Sequence, residues 1–350
     1  MAQGRTTARI AAVVAVAVAL VTVNPAVSGA CACGAFVAND KLRTQQETAL
    51  VELDGRTESI TVAVQARSQA RQAAFLMPVP ARARFEVADG GLFAELDRLT
   101  RPRVETRRVV VDGDGVGGSA PGRGATVVDR VEVGPYDVAQ LGGTDESAVT
   151  QWLGDNDFTL PAALGGALRP YLADGWLVVA VRLSPASGSL AGGLPPMRLT
   201  FETDTPVYPM RLSGTAEHVQ PLRLYVLADH RVDVGNPAPQ DDAPELTFAG
   251  EVRADPEHPG LSALLTAPRY LTRYDAEFRP ERITDDIRIT RAATDEPYRA
   301  VVVVTEYVRS PWRSPVVLVA AGGVLLVGVA LLLVWRRRRK ATRESTEDGR

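Results

Sequence analysis

Ser59-Ile60-Thr61-Val62-Ala63-Val64-Gln65-Ala66 decides the fold class of this chain. Ile60, Val62 and Val64 fall on one face and Thr61 and Ala63 on the other. That period of two marks a half-buried strand, because successive side chains of an extended backbone point to opposite sides. Working outward, runs rich in Val, Leu, Ile and Thr recur, bounded by Gly, Pro or Asp. They are Thr48–Leu53, Ala73–Met77, Val104–Val111, Val127–Val133, Leu177–Leu183, Met197–Glu202, Leu222–Ala228, Leu246–Val252, Ile283–Thr290 and Tyr298–Tyr307. Helical spacing is rarer. Gly91–Arg98 sets Leu92, Leu96 and Leu99 on one face before Pro102, Ser147–Gly154 follows Asp145, and Pro161–Leu172 opens on proline and stops at Asp174-Gly175. The expected fold is mostly β with a few helices, α+β in class, with antiparallel sheets in a sandwich-like body. A seam between two halves is expected near residue 135, around Val133–Ala139, although no linker of distinct composition marks it.

Two apolar segments bracket that body. Arg5 and Arg9 precede the Ala/Val-rich run Ile10–Val23, which is followed by Pro25 and the small residues Ser28, Gly29 and Ala30. This is the order of a secretory signal peptide, so residues 1–30 are expected to be a leader cleaved near Ala30, with an uncleaved anchor or lipidation of Cys31 as alternatives. At the other end Val316–Trp335 runs uncharged into Arg336, Arg337, Arg338, Arg339 and Lys340. Twenty residues at about 1.5 Å each reach about 30 Å, the thickness of a hydrocarbon core. A single transmembrane helix over residues 315–335 is expected. Trp312 and Trp335 suit its two interfaces, and the basic collar holds the 336–350 tail on the cytoplasmic side. Residues 31–314 then form an exported ectodomain at the cell membrane.

The whole-chain charge is −3, and setting aside the arginines of the leader and the basic tail leaves the exported part moderately acidic. That balance argues against nucleic acid as a partner. The only cysteines are Cys31 and Cys33, so no disulfide scaffold supports the core. Their spacing leaves open a strained local disulfide, lipid attachment or a redox pair, although a redox motif more usually carries two intervening residues.

Several stretches resemble chemistry without completing it. Gly113-Asp-Gly115-Val-Gly-Gly118 has the spacing of a dinucleotide loop, but Pro121, Gly122 and Gly124 forbid the helix whose amides would face a pyrophosphate. Asp112, Asp114 and Gly115 open like a calcium loop, yet Val116 and Arg123 stand where further ligands are required. Asp241/Asp242 and Asp285/Asp286 are carboxylate pairs whose neighbours on a strand would point apart. His218, His230 and His258 lack zinc-hydrolase spacing, and Ser187-Gly188-Ser189 is no nucleophile elbow. No catalytic residue, metal or cofactor is therefore assigned.

A resemblance covers most of the body. Cys31-Ala-Cys33-Gly34-Ala-Phe36-Val37-Ala38, Phe75-Leu-Met77-Pro78-Val79-Pro80 and Arg101-Pro102-Arg103-Val104-Glu105 resemble the bacterial family catalogued as domain of unknown function 2330. So do Pro135-Tyr136-Asp137-Val138, Trp152-Leu153, Phe158-Thr159-Leu160-Pro161, Leu168-Arg-Pro170-Tyr171 through Gly175-Trp176, Leu199–Thr205 with Tyr208-Pro209, and Leu224-Tyr225-Val226-Leu227. The resemblance implies an exported, often membrane-tethered protein and carries no catalytic residue. Trp152, Tyr171 and Trp176 read as core aromatics, with a ligand groove as the other use. Two functions follow: a membrane-anchored module that binds an envelope protein or wall glycan, or an envelope hydrolase or thiol-redox enzyme using carboxylates or the Cys31/Cys33 pair.

Overall fold

A computed structural model describes residues 27–31, 33–38, 43–67, 70, 72–111, 136–184, 194–309, 327, 329–333 and 336. One sheet has five antiparallel strands in the order β1 (Val27–Cys31), β2 (Gly34–Ala38), β5 (Ala73–Val79), β9 (Leu177–Leu183) and β8 (Tyr136–Leu141). A larger sheet has eight, in the order β17 (Tyr298–Arg299), β14 (Glu245–Val252), β15 (Arg269–Phe278), β12 (Gln220–Ala228), β3 (Arg43–Asp54), β4 (Thr57–Arg67), β10 (Met197–Glu202) and β6 (Arg84–Val87). It is antiparallel except where β12 runs parallel to β3. Three short strands, β11 (Val207–Tyr208), β16 (Ile287–Arg291) and β13 (Val232–Val234), make a third sheet. β7 (Arg103–Val111) and β18 (Val301–Arg309) form a parallel two-stranded ribbon.

The alternation in β4 shows how the layers assemble. Ile60 and Val62 join Ala49 and Val51 of β3 and meet Phe36, Phe75, Met77, Val179 and Val181 of the five-stranded sheet. This is the sandwich core. The outer face of the smaller sheet, Ala35, Val37, Ala74, Leu76, Val178 and Ala180, is covered by α2 (Ser147–Asp155) and α3 (Ala162–Ala173) through Val149, Leu153, Leu164, Leu168 and Tyr171. On the far side, Leu50, Tyr225, Leu227 and Leu271 lie under Leu92 and Leu96 of α1 (Leu92–Leu99) and Leu261 of α4 (Pro259–Ser262). Four layers result, helix–sheet–sheet–helix, because both sheets are apolar on both faces. The β3–β4 turn passes through Gly55 at φ +61°, a conformation that a Cβ would strain. At Gly34 a Cβ would lie 2.4 Å from the backbone oxygen of Leu76, so β2 and β5 pair this closely only because of glycine.

The sheets are mostly antiparallel and the helices few, as the sequence patterns predict, with β12–β3 and β7–β18 the parallel exceptions. The run Ile283–Thr290 becomes a strand only from Ile287. Before it, the Ile283 N–H bonds the Pro280 oxygen at 3.0 Å and the Thr284 N–H bonds the Pro237 oxygen at 2.9 Å, which takes both amides out of any ladder. The run Tyr298–Tyr307 breaks at Ala300, whose N–H goes to Thr247 of the large sheet while its carbonyl accepts from Arg103 of the ribbon. β5 pairs along its whole length with β9, across the seam expected near residue 135.

The expected leader through residue 26 and Val127–Val133 lie outside the described residues, and the cleavage point expected near Ala30 falls within β1. Among the described residues no helix is long and apolar enough to cross a membrane. The span expected over Val316–Trp335 is described only at Val327 and at residues 329–333, all helical, with Val327, Val329 and Leu331–Leu333 between 50% and 66% exposed. In the collar only Arg336 is described; Arg337, Arg338, Arg339 and Lys340 are not.

Candidate functional site

The end of α3 builds a cleft against β11 and β16. Gly175, at φ +79°, turns the chain back, with its N–H on the Leu172 oxygen at 3.1 Å and the Trp176 N–H on the Tyr171 oxygen at 2.9 Å. This left-handed helix stop is the one legible in Asp174-Gly175. It folds Trp176 over Tyr171, their ring centroids 4.9 Å apart at 44°. Pro206 and Val207 form one wall of the cleft and Arg288, Ile289 and Thr290 another, enclosing about 370 Å³. That volume is in the range of small-molecule pockets.

Beneath the aromatic pair lies a hydrogen-bonded polar cluster. Asp286, almost fully buried, accepts the Tyr171 hydroxyl, the Met210 N–H at 2.7 Å and the Arg211 N–H at 3.3 Å, while its second oxygen lies 3.3 Å from Arg211 Nε. Asp285 takes Arg211 Nη2 at 2.9 Å. The Arg211 guanidinium carbon stands 5.3 Å from the centre of the Tyr171 ring, a cation–π contact. Burial, and then the charge of Asp286, pushes the Tyr171 phenol far above its ordinary range, so it stays protonated and donates. Burial alone would lower Arg211, but its bond to Asp285 and the charge of Asp286 raise it. Burial would raise Asp285, but the bond from Arg211, the Asp286 N–H and the charges of Arg211 and Arg288 together hold it below the usual carboxylate range. Each charge is thus held by a partner, and the group is preorganised.

The carboxylate pair Asp285/Asp286 therefore clamps the Arg211 guanidinium. Asp241 is likewise committed, to the N–H and guanidinium of Arg279. His258 precedes α4, and His230 Nδ1 lies 3.0 Å from the Arg231 oxygen. His218 lends its carbonyl to Gln220 at 2.7 Å. His258 meets a serine through its backbone, its carbonyl accepting the Ser262 N–H at 2.8 Å, and among the described residues no group of three or more His, Cys, Asp or Glu could hold a metal. Asp112, the Gly113–Gly118 loop and Ser187-Gly188-Ser189 lie outside the described residues.

Cys33 is fully buried between the sheets, with its thiol at the hydroxyl of Tyr208, which also donates to Glu47. Burial first, then these neighbours, drives the Tyr208 phenol well up. A thiol with no solvent exposure is poorly placed for exchange. The Cys31 side chain lies outside the described residues.

Arg211, Pro206 and Thr290 carry no local signal in the sequence. The aromatic pair beside the glycine stop and the Asp285/Asp286 pair were legible, but not that they meet.

The chain belongs to the bacterial family catalogued as domain of unknown function 2330, described as an uncharacterised protein conserved in bacteria, whose model matches residues 27–290. No curated protein matches it. Among solved structures, the crystal structure of baculovirus P35 is similar over 75% of this chain and 98% of that chain, at 10% identity and a TM-score of 0.36.

Proposed function

We propose that this member of the family is a single-pass membrane protein whose sheet-rich body stands outside the cytoplasm and binds an envelope component in the Tyr171/Trp176 cleft. The address is supported by the charged–apolar–small leader pattern, by the uncharged Val316–Trp335 run against its basic collar, and by the exposure of Val327, Val329 and Leu331–Leu333 along a helix. A helix exposing apolar side chains on this scale is stable in lipid and costly in water. Binding is carried by one observation. The polar groups under the cleft are clamped to each other, which leaves a rigid aromatic wall and an exposed rim of Arg288, Thr205 and Thr290. Such a surface recognises a ligand by stacking and hydrogen bonds; it offers no activated nucleophile.

Protease shaving of intact cells should digest the body and spare the tail, and the full-length protein should fractionate with membranes. Isolated envelope material should retain the wild-type protein and release Trp176→Ala, with both proteins folded by circular dichroism. A full-length chain free in the cytosol would overturn the address. Equal retention of both proteins would overturn the cleft.

A further inference from the structure

A second cleft, of about 340 Å³, adjoins the first and shares Pro206, Ile289 and Thr290 with it. It is bounded beyond them by the β3–β4 turn at Leu53 and Gly55 and by Asp229, His230 and Arg291. β16 runs from one cleft to the other. Ile289 turns into the core, while Arg288 and Thr290 are exposed on the strand's other face. Two clefts that share a wall along one strand hold one elongated ligand more readily than two compact ones. Four strand residues, Arg288 to Arg291, extend about 13 Å, longer than one sugar ring. We infer that the Trp176 cleft and the His230 cleft are consecutive subsites for a linear glycan, an inference that rests on the envelope-binding reading above.

The alternative linear ligand is an extended peptide, which would add a strand to a sheet edge. Here β16, the strand common to both clefts, offers no free edge, since it is paired on one side with β11 and on the other with β13, a pairing that the Gly235 N–H extends to the Arg288 oxygen at 2.9 Å. The Val207 N–H of β11 is itself taken by the Glu58 carboxylate at 3.2 Å. What remains for a ligand is side-chain chemistry: the Trp176 ring for an apolar sugar face, and hydroxyl, guanidinium and imidazole groups for its hydroxyls and amides. Charge on this rim is mixed, with exposed Asp174 near Arg288, and Asp204 bound to Arg56 at 3.1 Å. The mixture suits a chain of mainly neutral polar units.

The test uses the full-length protein in detergent micelles and purified N-acetylated wall oligosaccharides graded from monosaccharide to hexasaccharide, with affinity read by calorimetry. Affinity should climb steeply with length until both subsites are filled. Trp176→Ala should weaken binding at every length, by about tenfold, for the loss of roughly 1.4 kcal/mol of stacking and burial. His230→Ala should leave the shortest sugars unchanged and weaken only those long enough to reach it. Affinity independent of length, or equal sensitivity of all lengths to His230→Ala, would overturn the two-subsite groove. Failure to bind any of these sugars while envelope material still retains the protein through Trp176 would overturn the glycan inference and leave the envelope-binding reading standing. Loss of both would sink the two together.

Discussion

Replacing Glu58 by glutamine should make the protein more stable in mild alkali and leave it nearly unchanged in mild acid. Glu58 follows Thr57 at the start of β4, on the same face as Ile60 and Val62, so its carboxyl enters the inter-sheet core, where it is fully buried. One oxygen accepts the Val207 N–H at 3.2 Å, and the other has no hydrogen-bond partner among the described residues. Burial raises its pKa from 4.5 to about 8, and the single bond from Val207 only partly opposes the rise. The folded state therefore holds a proton that the unfolded chain releases near 4.5. The stabilisation this supplies is complete below 4.5, declines by up to about 1.4 kcal/mol per pH unit as pH rises, and is gone above about 8. Over that interval the limit is on the order of 5 kcal/mol. Glutamine preserves an acceptor for Val207 and cannot ionise. Urea unfolding of both full-length proteins, followed by tryptophan fluorescence from about pH 5 to about pH 9, reads the difference between them, in which other titrating groups cancel. The two stabilities should converge at the acid end, with the variant several kcal/mol ahead at the alkaline end. A difference that stays constant with pH would refute the reasoning, since it would mean that Glu58 titrates alike in the folded and unfolded chains.

Gly34→Ala should be among the most damaging single-methyl changes in the chain, because its Cβ would meet a backbone oxygen at 2.4 Å and a Phe75 ring carbon at 2.9 Å. Loss of about 3 kcal/mol or more, or failure to accumulate in cells, is expected, and a thermal midpoint equal to wild type would count against the β2–β5 pairing. Asp286→Ala should cost about 3 to 5 kcal/mol, because it leaves Arg211 and the Tyr171 hydroxyl without their buried acceptor. Denaturant midpoints check this, and a loss below about 1 kcal/mol would mean that the cluster is solvated in solution.

Local patterns carried much of the fold. β9 and β10 were legible residue for residue, since a strand's alternation and its bounding Gly, Pro and Asp lie within the strand and its immediate flanks. α1, α2 and α3 were read from leucine spacing, a capping aspartate and a proline start. β15 escaped notice because Arg269, Arg273, Asp275 and Glu277 break its apolar run. In the fold, Asp275 accepts from Arg223 Nε at 2.8 Å, Thr247 at 2.8 Å and Arg273 Nε at 2.9 Å, and Arg223 Nη1 also reaches Asp97 of α1 at 2.9 Å. Burial would raise the Asp275 carboxyl, but the bonds from Arg223 and Thr247 hold it below the usual range. Of the charges that hid the strand, Arg273 lies 3.6 Å from Asp97 of α1 and Asp275 is tied to Asp97 through Arg223. β1 was hidden for another reason, since its small residues read as a leader's end near Ala30, and β2 was legible as a family-like motif but not as a strand; its pairing with β5 is what places Gly34 and Ala35 in the sheet.

From the residues in order, one could know that the chain is a strand-dominated body between two apolar segments, the second of them running into arginines, because periodicity and charge flanks act within a few residues of each other. The four-layer stacking, the parallel seam of β12 on β3 and the cleft came from elsewhere. Tyr171, Trp176, Pro206, Arg211, Asp286 and Thr290 are scattered between α3 and β16 in sequence, and long-range burial alone brings them to one cleft. Their meeting depends on which faces of two sheets exclude water together, a property that no short window of sequence contains.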